Sequence, residues 1–440
     1  MNTKKHLAVL CAAIMTAAAS AAYAPAVFAD SSAADTAVTT ADNYTAAHPL
    51  TNPNATNETK RLYDYLCDNF GVKMIAGQQE STWKGTPDYE MNYIEETTGK
   101  LPALRGLDFM NDDFSGVVKR GIEWDAKGGI VEICWHCGVN GKGYNESKAD
   151  DPDFEKLLDP STDEYKAMME NWDKAGAALK ELQDAGVPVL WRPFHEFDGQ
   201  WFWWGKGGAE NFKKLWTLMY DHYTNDLGLN SLIWVLGYAD DVKSGWYPGD
   251  EYCDIVGSDT YRKTTDNKRG WNLLLENATD SKPMCFHECG NLPEIDTFTE
   301  DGVVWSWFMV WHTDYIVNND KDNLTEVYNS DVVITLDELP DLKSYGNTAE
   351  DSSSDESSFE VSSSETGSSQ TDSSSQTSDS SSASSSSAAS TSTAASTTKT
   401  ATASAAASSD TSPATGADTA GVLAVAVLTA AVVIVSRKWK

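Results

Sequence analysis

Basic residues are scarce in this chain: 33 Lys and Arg stand against 66 Asp and Glu over 440 residues, a formal net charge of −33. Phosphate recognition needs clustered Lys and Arg, so nucleic acid and anionic membrane surfaces are excluded as partners. No Gly-x-Gly-x-x-Gly follows a strand-like run, which leaves a doubly wound open sheet only as the runner-up fold. His195-Glu196 starts like a zinc-protease motif, but position 199 is Gly199, so His-Glu-x-x-His is absent. There is no Ser-centred nucleophile elbow. Cys134-Trp-His-Cys137 has no second Cys-x-x-Cys to complete a zinc site, even counting His287 and Cys289, and neither metal nor cofactor is expected. Of seven cysteines, Cys11 falls in an N-terminal leader. The remaining six, Cys67, Cys134, Cys137, Cys253, Cys285 and Cys289, could pair in an exported protein or stay as buried thiols.

Tryptophan, by contrast, is abundant: all but one of the 16 lie in the middle of the chain. They are densest in Val189-Leu-Trp-Arg-Pro-Phe-His-Glu-Phe-Asp-Gly-Gln-Trp-Phe-Trp-Trp-Gly205, an apolar strand running into a loop. Loops lie on the surface, so Trp201, Trp203 and Trp204 are expected to be partly exposed there, beside an acid. Strand-like runs recur at 72–77, 102–108, 129–135, 187–192, 231–236, 254–258, 283–287 and 303–310, eight in all. Helical stretches separate them. Residues 162–185 carry Tyr165, Met168, Met169, Trp172, Leu179 and Leu182 at helical spacing after a Ser161/Glu164 capping box. Eight strands alternating with helices over about 300 residues predict an α/β fold, a single (β/α)8 TIM barrel over 43–342.

In such a barrel the active site sits at the C-terminal strand ends. Those ends supply Asp108, His136, Arg192, His195, Glu196, Asp259, Tyr261, Glu288, Trp311 and His312. Two are glutamates, each preceded by a histidine. A pair of carboxyls flanking a bond is what glycoside hydrolysis needs: one protonates the leaving oxygen, the other attacks or activates water. A lone strand-end glutamate is usually an ordinary ion-pair partner. Two of them beside exposed aromatics point to an enzyme acting on a neutral sugar polymer. The reading of another class is a polysaccharide-binding surface protein with idle carboxylates.

Arg192-Pro-Phe-His-Glu-Phe-Asp-Gly-Gln-Trp-Phe-Trp-Trp-Gly205 resembles the acid/base motif of glycoside hydrolase family 26, whose commonest members are endo-β-1,4-mannanases. The resemblance covers the barrel and implies Glu196 as general acid/base and Glu288, in Phe286-His-Glu-Cys-Gly290, as nucleophile. It implies that Tyr261 of Asp259-Thr-Tyr261 bonds the nucleophile, that His136 lines the subsite before the cleaved bond, and that Arg192, His195, Trp201, Trp204 and Trp311 contact substrate. The implied substrate is a β-mannan cleaved with retention by a pair of carboxyls about 5–5.5 Å apart. Mixed-linkage β-glucan and β-1,3-xylan are the alternatives in the family. His287 departs from the family pattern, which often has a small residue before the nucleophile.

Both ends read as processing signals. Lys4 and Lys5, an apolar stretch and Val27-Phe-Ala29 make a leader over 1–29. Residues 346–411 are Ser, Thr, Ala and acidic residues with almost no large apolar side chains, the composition of a disordered spacer. Over 412–440, Ser412-Pro-Ala-Thr-Gly416 precedes an apolar run and Arg437-Lys-Trp-Lys440. That order resembles a sortase sorting signal, with Ser412 where Leu is usual. It implies cleavage after Thr415 and attachment of Thr415 to peptidoglycan of a Gram-positive wall. A plain membrane anchor through 421–435 is the alternative, and that run is short against the roughly 20 residues a bilayer needs. The expected molecule is an exported, wall-attached monomer.

Overall fold

The computed structural model describes residues 49–262, 267–296 and 303–346. The expected leader over 1–29, the expected sorting signal over 412–440 and the expected spacer after Gly346 lie outside the described residues. Eight parallel strands form the ring: β1 (Met74–Gln79), β2 (Leu104–Asp108), β3 (Ile130–Cys134), β4 (Val189–Arg192), β5 (Leu232–Tyr238), β6 (Ile255–Thr260), β7 (Met284–Cys289) and β8 (Trp307–Val310). Each pairs with its sequence neighbour, and β1 pairs with both β2 and β8. The ring is therefore closed, which excludes the open sheet. A ninth strand of two residues, β9 (Val333–Ile334), pairs alongside β1 and was not expected from the sequence. No helix among the described residues is long and apolar enough to cross a membrane.

Nearly every strand residue is buried, as a sheet covered on both faces requires. Inward side chains at the strand starts, Ile75, Leu104, Ile130, Leu190, Ile233 and Ile255, share one core with Leu62 and Leu66 of the helix Asn57–Asn69. That helix closes the base of the barrel. Its first turn is capped by Thr56, whose hydroxyl accepts from the Thr59 amide at 3.2 Å. The outer core packs the opposite strand faces against the surrounding helices.

Several boundaries differ from expectation. The helix Asp163–Asp184 is capped by Thr162, not Ser161: the Thr162 hydroxyl accepts from the Tyr165 amide. Strand β1 ends two residues later than the apolar run suggested, because Gln78 and Gln79 are buried in the barrel. Strand β7 continues through Cys289, so Glu288 lies within the strand. Between β5 and β6 only a short 3-10 turn, Asp250–Tyr252, replaces the helix of the repeating unit.

Interior space is set by glycine. A Cβ on Gly237 would lie 3.0 Å from the His287 ring, and one on Gly257 would lie 2.7 Å from Cys285 Sγ and 3.2 Å from the same ring. Bare backbone on β5 and β6 thus makes room for an imidazole inside the barrel.

Candidate active site

Glu196 stands one turn past β4 with φ at 54°, in the left-handed region that non-glycine residues rarely enter. Phe194 and Gln200 on either side share that conformation. Such strain persists only where the surroundings enforce it. Here the Glu196 amide donates to Gly237 O at 2.7 Å, and Trp201 Nε1 donates to Glu196 Oε2 at 2.8 Å. Gly199 permits that return: a Cβ there would sit 2.1 Å from the Trp201 ring. Asp259, buried at the end of β6, is the carboxyl beside Glu196. Burial first, then the charge and hydrogen bond of Glu196, raise its pKa well above the ordinary range.

Glu288 is held from below and from the side. Arg192 Nη1 donates to Glu288 Oε1 at 2.9 Å, and the Tyr261 hydroxyl donates to Oε2 at 2.9 Å. Both glutamates are at most 1% exposed. Burial pushes Glu288 up to about 7, while the Arg192 guanidinium pulls it back and the neighbouring Glu196 pushes it up again. An ionised Glu288 therefore depends on its two donors.

A histidine chain lines one side. His136 Nδ1 donates to Asp108 Oδ2 at 2.7 Å, which leaves its Nε2 to accept from His195 Nε2 at 3.1 Å. Burial lowers the pKa of His195 well below the usual value, so that ring is neutral. His195 Nε2 lies 3.6 Å from Glu288 Oε1. Two recesses open beside these residues. One is a narrow recess lined by Trp83, Asp108, His136, Tyr144, Trp311 and His312. The other is wider, and Glu196, Trp201, Asp240, Asp259, Tyr261 and Arg262 line it. Glu196 reaches the wider recess, and His136 and Trp311 line the narrow one.

Sequence-expected residues are thus brought together with two corrections. Trp203 and Trp204 are fully buried, not partly exposed. Trp203 Nε1 donates to Cys137 O and Trp204 Nε1 to His195 O, each at 2.8 Å. Trp204 also stacks on Phe202 and so supports His195 from behind instead of facing a recess. Trp201 is the half-buried one that lines the wider recess. All six described cysteines are buried, and Cys134, Cys137, Cys253, Cys285 and Cys289 are thiols. Asp108, Cys134 and His136 offer atoms within 4.8 Å of one another. Asp108 and His136 are already bonded to each other, and burial holds the Cys134 thiol protonated, so the trio is poorly suited to a cation.

Three residues escaped the sequence reading. Tyr144 reaches the narrow recess from the long loop after β3. Asp198 anchors the loop after β5 through the amides of Ala239 at 2.8 Å and Lys243 at 2.9 Å. Glu132 lies inside the barrel against Arg192. Asp198 belongs to the quoted motif and could have been flagged; the other two carry no local signal.

Residues 51–338 match Glycosyl hydrolase family 26. The mannan endo-1,4-β-mannosidase of Thermothelomyces thermophilus is 36% identical over 313 residues, 66% of this chain and 63% of that protein. Mannan endo-1,4-β-mannosidase A of Piromyces sp is 31% identical over 66% of this chain and 50% of its own length. The chain thus spans between half and two thirds of these curated relatives. Among solved structures, the β-mannanase from a symbiotic protist of the termite Reticulitermes speratus, complexed with gluco-manno-oligosaccharide, is 30% identical with a TM-score of 0.59, covering 66% of this chain and 97% of that one. The β-(1,4)-mannanase of Podospora anserina is 34% identical with a TM-score of 0.60, covering 67% and 69%.

Proposed function

This chain belongs to glycosyl hydrolase family 26, and on that premise we propose that it hydrolyses internal β-1,4-mannosidic bonds of mannan, glucomannan or galactomannan with retention of configuration. The observation that carries the reading is the pair of buried glutamates at the strand ends, one tied to Trp201 and the other to Arg192 and Tyr261. Glu288, ionised, attacks the anomeric carbon while Glu196 gives its proton to the departing glycosidic oxygen. A glycosyl ester on Glu288 results. Glu196, now a carboxylate, takes a proton from water; the water oxygen attacks the same carbon and releases Glu288. Groups that touch neither bond orient the chain: His136 and Trp311 on one side, Trp201 on the other.

Reducing sugar released from mannan, lichenan and β-1,3-xylan tests the substrate. Mannan is the expected best substrate, with mutarotation showing the β-anomer as first product. Activity confined to lichenan or to β-1,3-xylan moves the enzyme to the glucanase or xylanase reading; binding without hydrolysis moves it to a surface lectin. Removing one hydrogen bond tests the acid's placement. Trp201→Phe keeps the ring and loses the Nε1 donor, and kcat/KM on mannan should fall about tenfold. An unchanged value would show that Trp201 does not hold Glu196.

Export through the 1–29 leader and wall attachment through Thr415 belong to the same proposal and rest on the terminal sequences. Mass spectrometry of peptidoglycan-released protein should find a C-terminus at Thr415. A mature chain that still carries 416–440 favours the membrane anchor.

A further inference from the structure

Glu132 is fully buried in the middle of β3. A carboxylate inside a barrel is costly unless paired, and its partner is Arg192, whose Nε donates to Glu132 Oε1. The same guanidinium donates through Nη1 to Glu288 Oε1 at 2.9 Å. One buried cation therefore serves two buried carboxylates. Its pose is fixed a third time. His287 Nε2 donates to Tyr238 O at 2.7 Å, so its Nδ1 is the acceptor that meets Arg192 Nη1 at 3.2 Å.

The charge count changes during the reaction proposed above. When Glu288 becomes an ester, its negative charge is gone, and Arg192 would be left as a buried cation facing only neutral groups on that side. Glu132 remains. We propose that Glu132 is a positioning residue of the reaction: the standing counter-ion of Arg192, which keeps the guanidinium in place and neutralised while Glu288 trades its charge for the glycosyl bond. This rests on Glu288 being the nucleophile. Burial works against both anions, pushing Glu132 and Glu288 up to about 7, and the one arginine they share pulls both back towards the charged form.

The groups facing this trio do not duplicate the role. From β2 and β3 come Asp108 and His136, bonded to each other, and Cys134, held protonated by burial. From β4 come Glu196 and His195, the latter neutral. Asp259, whose pKa burial raises, comes from β6, and Tyr261 follows that strand. Cys285, a buried thiol, and neutral His287 come from β7. Only Glu132 offers Arg192 a second carboxylate within bonding distance among the described residues.

The sign of the effect follows. Glu132→Gln removes a like charge from Glu288 and leaves Arg192 wholly to it. The nucleophile then ionises more readily but is less willing to give up its charge. The acid limb of kcat/KM on mannan should move down by about one pH unit, and the plateau should fall about ten- to a hundredfold. Reactivation of an enzyme trapped by a 2-deoxy-2-fluoromannosyl fluoride should be faster than in wild type, because the leaving carboxylate is better stabilised. Glu132→Met removes the same charge without an amide to place, and reads the same shift should the glutamine variant not fold. Glu132→Asp keeps the charge and should keep the wild-type limb. If the fluoride fails to label Glu288 of the wild type, the nucleophile assignment itself falls. If it labels Glu288 in every variant while the limb of the glutamine and methionine variants coincides with wild type, the counter-ion inference alone is overturned, whatever happens to the rate.

Discussion

Glu288→Ala will lower kcat/KM on mannan by about 10⁴-fold or more, since the variant loses the carboxylate that the double displacement requires. The loss should be chemical and not structural. Arg192 keeps Glu132 as a partner when Glu288 is removed, so no buried cation is stranded, and thermal unfolding should shift far less than the several kcal/mol typical of an orphaned buried charge. The vacated space lies between Arg192 Nη1 and the Tyr261 hydroxyl, two donors that held a carboxylate. A small anion such as azide or formate fits that site. Added azide should restore turnover of an activated aryl β-mannoside and yield the α-mannosyl azide, because a single displacement inverts the centre. Activity left intact in this variant would refute the double displacement; rescue that gives the β-azide would place the nucleophile elsewhere.

How much of this was readable beforehand depends on what each residue's role requires. The barrel needs only eight apolar runs spaced by helices, and strand-end placement follows from the fold. Glu196 and Glu288 were therefore visible as soon as the strands were counted. Inward-facing chemistry was not. Glu132 sits in Ile130-Val-Glu-Ile-Cys134, where a single acid in a strand reads as an exposed face; only closure of the ring brings it to Arg192, 60 positions away. Burial of Trp203 and Trp204 was missed for a similar reason. The loop after β4 doubles back as a short helical turn, Trp203–Lys206, with Gly205 packed against Phe197 O so closely that a Cβ would lie 2.0 Å from it. Loop composition predicts exposure, but a loop folded on itself makes its own core. Gln78 and Gln79 misled in the opposite direction: polar residues suggested the end of β1, although Gln78 Nε2 bonds Trp311 O across the barrel mouth at 3.2 Å. His287 was noticed as unusual, and the structure supplies the compensation in Gly237 and Gly257.

Glu196→Ala separates the two halves of the reaction. Hydrolysis of mannan, whose leaving group is a poor one, should fall about 10²- to 10⁴-fold, the range a general acid supplies. A dinitrophenyl β-mannoside leaves without a proton, so its glycosylation step should survive while hydrolysis of the ester, which needs a base, becomes limiting. The observable is a pre-steady-state burst with a lowered KM. Azide needs no base, so it should accelerate turnover and give the β-mannosyl azide, the opposite anomer from that expected of Glu288→Ala. The pH profile adds a second reading. The acid limb is expected from Glu288, which burial raises: activity is present above its pKa and is lost as pH falls through it. With the activated substrate that limb should persist in Glu196→Ala. Undiminished hydrolysis of mannan by Glu196→Ala would assign the acid to another group. Asp259, the buried carboxyl beside Glu196, is the obvious one; Asp259→Asn would then lose mannan hydrolysis in its place.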